Sequence, residues 1–335
     1  MEQQTKQPTA IFDRFFNQPR SIWTIIGVCT IFLFIPFIFA MLDGYLQQFI
    51  SGGQWRRFIS PTAITLYIWI ISPLMARAGD NVISTLRPLI DLDQEEFQAQ
   101  VYAAEDIKPL HELLAILIGL LLGFAAASSS EFNQGFSWLK VYWYLSTCLL
   151  YAVLAWTIFI AVSSTRVNAA LHRLPMRFDI LNPSPFEAVG RQSLLLALVF
   201  IGGITISLVL TYDVTQLSAV GFWITNLLFV AFIFLIFFLS MRPTHLVLAE
   251  EKKRMLAPVT QRINKSCQDL VHELENGSNP GGLPSEISAL VAYEDRLQAA
   301  RTWPYNISIL RTLFFSVFIP LMSILARLAV DLLFP

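Results

Sequence analysis

Long stretches without a charged residue alternate with polar segments along the 335-residue chain. A helix that crosses the hydrocarbon core of a bilayer needs about 20 apolar residues, since about 30 Å are covered at 1.5 Å per residue. Six stretches lack Asp, Glu, Lys and Arg altogether: 21–42, 58–76, 113–130, 141–165, 192–212 and 214–241. A seventh, 307–334, is apolar but contains Arg311, Arg327 and Asp331. The pattern therefore predicts an all-α membrane bundle of about seven transmembrane helices.

The second and third stretches are the shortest. If one of the seven is not a transmembrane helix, we expect it to be one of these two.

Orientation follows from the positive charges, because cytoplasmic segments carry an excess of Lys and Arg. The N-terminal segment and those after spans two, four and six hold 18 of these residues, whereas the opposite loops hold Arg56, Arg57 and Lys140. We therefore expect the N-terminus in the cytoplasm and the C-terminus outside.

These assignments divide the chain into segments. Residues 1–20 form a cytoplasmic N-terminal segment, and 21–241 form the region of spans one to six, with cytoplasmic loops 77–112 and 166–191. The first loop contains an acidic stretch, 91–106, that predicts a helix ended by Pro109. The second has three prolines and predicts either an irregular elbow at the membrane surface, with Phe178 and Phe186 dipped into the lipid, or a plain connector whose arginines extend to the interface.

Residues 242–303 predict a cytoplasmic helical hairpin, followed by the last span in 304–335. Apolar residues recur at steps of three and four, which places them on one helix face. They are Leu256, Val259, Ile263, Cys267, Leu270 and Leu274 in the first arm and Ile287, Leu290, Val291 and Leu297 in the second. Gly and Pro residues between the arms predict the turn. We favour a hairpin that packs on itself or on the 91–106 helix; the alternatives are that it docks a partner or forms an oligomerisation coiled coil.

Polar residues inside the spans are few, and most of the candidate residues lie on one face of two helices. In the last span one stripe about 100° wide contains Ser308, Thr312, Ser316, Ser323 and Arg327. A weaker stripe in the second span contains Thr62, Thr65 and Ser72, and Asn226 is the carboxamide well inside the sixth span. Such faces line a polar pathway; alternatively, they let helices pack closely and hydrogen-bond each other.

Composition supports the membrane assignment and excludes several functions. Hydrophobic residues make up 55% of the chain and charged residues 14%, against about 25% charged in ordinary soluble domains. The net charge of −1 offers no basic field for nucleic acid. The phosphate-loop, dinucleotide, zinc-protease and serine-hydrolase motifs are missing. We expect no catalytic residue, cofactor or metal.

We therefore expect a non-enzymatic, multi-pass protein of a cell inner membrane that forms a channel-like solute or ion pathway as a homo-oligomer. The alternative is a membrane scaffold or signalling subunit that recruits a cytoplasmic protein through residues 242–303. A lipid-modifying enzyme ranks last, because its nearest candidates, Asp43, His111 and Glu112, fall on opposite sides of the membrane. Gly119 and Gly123 form a GxxxG pair that permits close helix approach and is weak evidence for dimerisation.

Overall fold

The computed structural model describes residues 21–105, 109–128, 136–211, 220–276, 279 and 281–333. Within these ranges the fold is all-α, with two single-turn 3₁₀ helices at Arg87–Leu89 and Ser184–Phe186. The α-helices are α1 Ile22–Leu42, α2 Leu46–Ser51, α3 Trp55–Leu86, α4 Gln94–Glu105, α5 Pro109–Ser128, α6 Trp138–Leu171, α7 Glu187–Thr211, α8 Val220–Glu275, α9 Leu283–Ala299 and α10 Ile307–Leu333.

Six of these helices are long and apolar enough to cross a membrane: α1, α3, α5, α6, α7 and α8. This confirms the all-α class and a composition typical of a multi-pass membrane protein. The second and third predicted spans, the shortest in the sequence, are both among the six. In the seventh, α10, the described apolar part extends only from Ile307 to Pro320.

Contacts between connecting segments define the two ends of the bundle. At one end, called here the Asp43 end, the Asp43 carboxylate at the end of α1 accepts hydrogen bonds from the first residues of α6. At the other, the Asp91 end, Asp91 forms a 2.7 Å ion pair with Arg177, beside an isolated β-bridge between Ile90 and Met176. Consecutive long helices thus alternate in direction.

The long helices pack around α6 and α7. Helix α6 contacts α1, α3, α5 and α8, while α7 contacts α3, α8 and α10. Glycines permit the closest approaches: a Cβ at Gly119 of α5 would lie 2.5 Å from the Tyr151 carbonyl oxygen of α6, and one at Gly123 would lie 2.7 Å from the Cα of Cys148. The GxxxG pair therefore packs α5 against α6 of the same chain.

The segments at the Asp91 end share one hydrophobic core, called here the inner core. It joins the last turns of α3, α4, the connection between α6 and α7, the first turns of α7, the middle of α8 and the end of α9. Its fully buried members include Leu86, Ile180, Phe186 and Leu297. The expectation that Phe186 dips into the lipid is therefore wrong, because its ring packs against Phe178 and His172 inside the protein.

Helix α8 runs unbroken for 56 residues and passes through Pro243 and Pro258. The boundary expected between residues 241 and 242 thus lies within a single helix. Helix α9 lies antiparallel against the last part of α8, as three contacts in reverse order show. They are Lys252 to the Gln298 carbonyl at 2.5 Å, Thr260 to Glu294 at 2.7 Å and Arg262 to Glu286 at 2.8 Å.

Candidate functional site

The polar stripe of the last span follows one edge of α10. Ser308 and Thr312 are exposed, and the Thr312 hydroxyl donates a 2.9 Å hydrogen bond to the Ser308 carbonyl one turn earlier. Ser316 is buried. The side chains of Ser323 and Arg327 lie outside the described residues. In its described part, the stripe passes from the surface into the contact between α10 and α7.

Helix α10 is held by one face. Among its described side chains Ile309, Leu313, Ser316 and Pro320 are buried, and their steps of four, three and four place them on one side, against α7. The remaining circumference carries exposed apolar side chains, among them Phe314 and Phe315. The helix is therefore peripheral, with hydroxyl groups at the border between its packed face and its open face.

The polar stripe of the second span lies inside the bundle. Thr62 is buried and shares a 2.5 Å hydrogen bond with the Tyr142 hydroxyl of α6. Thr65 donates to the Pro61 carbonyl of its own helix at 2.8 Å, and Ser72 is buried. The Asn226 side chain lies outside the described residues. The stripes of α3 and α10 thus face different neighbours, α6 in one case and α7 in the other.

A third polar group, called here the polar seam, lies where α6, α7 and α8 meet near the Asp91 end. It consists of Ser164, Asn168 and His172 at the end of α6, Gln192 and Ser193 of α7, and Ser240 and Thr244 of α8. Asn168 donates to Gln192 at 3.1 Å, and Gln192 donates to Ser164 at 2.7 Å. Ser193 and Ser240 hydrogen-bond each other.

His172 completes the seam. Its Nε2 lies 2.5 Å from the Thr244 hydroxyl, and its Nδ1 is buried without a hydrogen-bond partner among the described residues. The imidazole packs edge-on against Phe186. Burial lowers the pKa of His172 to about 4, because charging the ring would cost hydration that the protein does not replace.

The seam was not predicted from the sequence. The signal was present: Ser164, Asn168 and His172 recur at steps of four, as do Ser240 and Thr244. That spacing puts each set on one helix face. Polar residues at such spacing also occur on solvated surfaces, so only the packing shows that these faces meet.

At the Asp43 end, one carboxylate caps a helix from a distant segment. Asp43 accepts hydrogen bonds from the Ser137 hydroxyl at 2.6 Å and from the backbone N–H groups of Trp138 and Leu139 at 2.9 Å each. Burial raises the pKa of Asp43, but these three hydrogen bonds outweigh it, so the pKa lies below its ordinary value. Asp43 thereby anchors α1 to α6.

Glu112 is buried near the start of α5 and accepts a 3.1 Å hydrogen bond from the Trp156 indole of α6. The adjacent His111 is exposed, and Asp43 lies at the opposite end of the bundle. The three residues considered for a lipid-modifying enzyme therefore do not form one cluster. Among the residues that the structure describes, no group of three His, Cys, Asp or Glu side chains could hold a metal ion.

No protein-family model, curated protein or solved structure matches the chain. The seam and the α3 stripe are closed by contacts inside the chain, whereas the α10 stripe is bounded by protein on one side only. Its exposed hydroxyls, those of Ser308 and Thr312, can be reached by water or by a neighbouring subunit.

Proposed function

We propose that this protein is an oligomeric membrane pathway for a solute or ion, with α10 from each copy lining the route. The observation that carries the proposal is that α10 packs by one face and keeps its hydroxyl stripe at the open edge of that face. In hydrocarbon such hydroxyls can bond only within their own helix, as Thr312 does, whereas water or a neighbouring copy would offer them further partners. Copies that meet along this edge would enclose the hydroxyls around water.

The proposal includes a seventh span and a fixed orientation. Helix α10 has 27 residues, which at 1.5 Å per residue is about 40 Å and sufficient to cross a bilayer. The segments richest in Lys and Arg meet at the Asp91 end, so this end faces the cytoplasm. The N-terminus is then inside and the C-terminus outside, and the antiparallel α8–α9 pair is cytoplasmic.

Thiol accessibility tests the route. In a background with Cys29, Cys148 and Cys267 replaced by serine, Thr312→Cys and Ser323→Cys should react with a water-soluble, membrane-impermeant thiol reagent. Phe314→Cys is the matched control, because it lies on the same helix but about 160° around it from Thr312. We expect no reaction at the control, since this position faces lipid. Modification should also reduce ion flux through vesicles containing the stripe variants.

Three results would contradict the pathway. Inert cysteines at both stripe positions would show that water does not reach this face of α10. Equal reaction at the stripe and at Phe314→Cys would show that α10 is simply loose in detergent or lipid. A monomer in mild detergent that conducts nothing after reconstitution would also favour the second candidate.

The second candidate is a membrane scaffold that recruits a cytoplasmic protein. Val271 and Leu274 are exposed in the last turns of α8, beyond the contact between Arg262 and Glu286 where α9 covers the helix. Replacing both with serine should release a specific partner without changing the melting temperature. The same partner retained by the double variant would remove this support.

A further inference from the structure

Three helices are aligned in height by the polar seam. Gln192 of α7 bonds Ser164 of α6, and the next residue, Ser193, bonds Ser240 of α8. A hydrogen bond between side chains joins residues at nearly the same height along packed helices. These contacts therefore mark a common level across α6, α7 and α8.

Two more helices reach the same level through glycines. A Cβ at Gly79 of α3 would lie 3.4 Å from Nε2 of Gln192, and a Cβ at Gly190 of α7 would lie 3.3 Å from Cδ1 of Ile309 of α10. Gly190 and Gln192 are two residues apart, so α3 and α10 meet α7 at nearly the same height. Five helices thus share this level.

Each of the five helices carries an exposed arginine at this level, and together they are called here the arginine girdle. The five are Arg77 of α3, Arg166 of α6, Arg191 of α7, Arg242 of α8 and Arg311 of α10. Each arginine lies within two residues of the contact that fixes the height of its helix. Two residues correspond to about 3 Å along the helix axis. The five guanidinium groups therefore lie at nearly one height along the bundle.

The arginine girdle adjoins an apolar surface on the side of the Asp43 end. One turn from the arginine in that direction, four of the helices expose a large apolar side chain. These are Leu74 of α3, Val162 of α6, Leu239 of α8 and Phe315 of α10. In the other direction lie the His172–Thr244 contact of the seam and the inner core. The girdle therefore stands where hydrocarbon contact gives way to polar surroundings, which is the level of lipid headgroups.

The charges of the girdle are largely uncompensated. Arg191 lies 3.6 Å from the Glu187 carboxylate. Arg77, Arg166, Arg242 and Arg311 form no salt bridge with any carboxylate in the described part of the chain. All five are arginine, whose planar guanidinium binds phosphate through two parallel hydrogen bonds, and not lysine.

We propose that the arginine girdle binds the phosphates of anionic phospholipids in the leaflet at the Asp91 end. The partner is a lipid headgroup, because the uncompensated positive charge sits directly beside exposed apolar side chains that contact acyl chains. This function is separate from solute passage and does not require α10 to line a route. It would fix the depth of the bundle in the membrane through five helices at once.

Melting in lipid–detergent micelles tests the proposal on the full chain. Phosphatidylglycerol should raise the melting temperature of the wild type more than phosphatidylcholine does, and added salt should reduce the difference. The triple variant Arg77→Gln, Arg166→Gln, Arg242→Gln should lose most of that difference. Each lost arginine should weaken binding of anionic lipid roughly fivefold, measured by counting retained lipids in native mass spectrometry.

A matched triple variant removes the same charge elsewhere. Lys253→Gln, Lys265→Gln and Arg296→Gln neutralise exposed residues of the α8–α9 pair, and this variant should keep the full response. An equal loss in both triples would overturn the proposal, because net charge alone would then explain it. Equal stabilisation of the wild type by the two lipids would also overturn it.

The variant Arg77→Lys, Arg166→Lys, Arg242→Lys retains the charge but not the paired hydrogen bonds. It should respond to phosphatidylglycerol less than the wild type and more than the glutamine variant. It also serves as a control for misfolding, since it substitutes the same three positions without removing their charge. A lysine variant that behaves like the glutamine variant while melting normally in phosphatidylcholine would contradict electrostatic binding at these sites.

Discussion

Side chains that stand alone in the sequence acquire partners from distant segments. The Asp43 carboxylate reaches Leu139, 96 residues away, and His172 reaches Thr244, 72 residues away. Both contacts join separate helices, α1 to α6 and the end of α6 to α8. Single polar residues therefore connect helices that would otherwise be held by apolar contact alone.

Asp43→Ala should destabilise the protein by about 1 kcal/mol, as the loss of a helix cap usually does. The reason is that two backbone N–H groups at the start of α6 lose their acceptor. The contribution is present at neutral pH and is lost only as the pH falls through the lowered pKa of the carboxylate. Thermal melting in detergent measures it, and Glu95→Ala, on the exposed surface of α4, should change little.

The neutral, buried imidazole of His172 should make stability depend on pH. Between pH 6.5, the ordinary pKa of histidine, and pH about 4, His172 is protonated in the unfolded chain but stays neutral in the folded protein. The free energy of unfolding should therefore fall as the pH drops through this window. His172→Gln, which cannot titrate, should show a smaller fall. Parallel curves for wild type and variant would show that His172 is not the responsible group.

At the scale of helices, the charge-free stretches located the spans but not their ends. Helices α3, α6 and α8 continue to Leu86, Leu171 and Glu275, well past the predicted stretches. Charged residues are excluded by hydrocarbon and not by the helix itself. An element can therefore leave the membrane without breaking, and the inner core is built largely from such extensions.

The α5–α6 contact should be sensitive to a single methyl group. At Gly119 the new Cβ would meet backbone atoms of Tyr151 and Ala152, which cannot rotate away. Gly119→Ala should therefore destabilise by about 1–3 kcal/mol, as overpacking does. Gly27→Ala is the matched control, since nothing lies within 4 Å of its Cβ position. It should be neutral or stabilise by about 0.5–1 kcal/mol, so that only Gly119→Ala should lower the melting temperature.

At the scale of the whole molecule, the inner core joins segments that are far apart in the chain. It contains Val82 of α3, Phe97 of α4, Ile180 of the connection before α7 and Leu297 of α9. The α8–α9 pair is therefore fastened to the rest of the protein at its base. Its far end, with Val271 and Leu274, remains open.

Leu297→Ala should cost about 2–5 kcal/mol, the usual range for a buried leucine. The side chain is fully buried in the inner core, so the loss should also loosen α4 and the connection before α7. Val291→Ala, on the exposed side of the same helix, should cost about 0.5 kcal/mol or less. Hydrogen exchange would show whether protection is lost in α4 as well as α9. Loss confined to α9 would mean that α9 is independent of the core.

The sequence by itself determined the all-α class, the six apolar helices and the separation of apolar from polar segments. These are local properties, because a span depends only on its own length and hydrophobicity. It also located the polar residues of α3 and α10. The tertiary structure decided which of these residues bond other residues of the chain. The hydrogen bond between Thr62 and Tyr142 is an example.

Only the tertiary structure assembled the seam, the inner core and the arginine girdle. Each depends on the height and rotation at which helices pack, and small residues such as Gly79 and Gly190 set those heights across the bundle. One polar face looks the same in the sequence whether it meets water, lipid or another helix. Packing distinguishes these cases, because burial and hydrogen bonding depend on which helices are in contact. Hydrophobicity, in contrast, is a property of each helix alone.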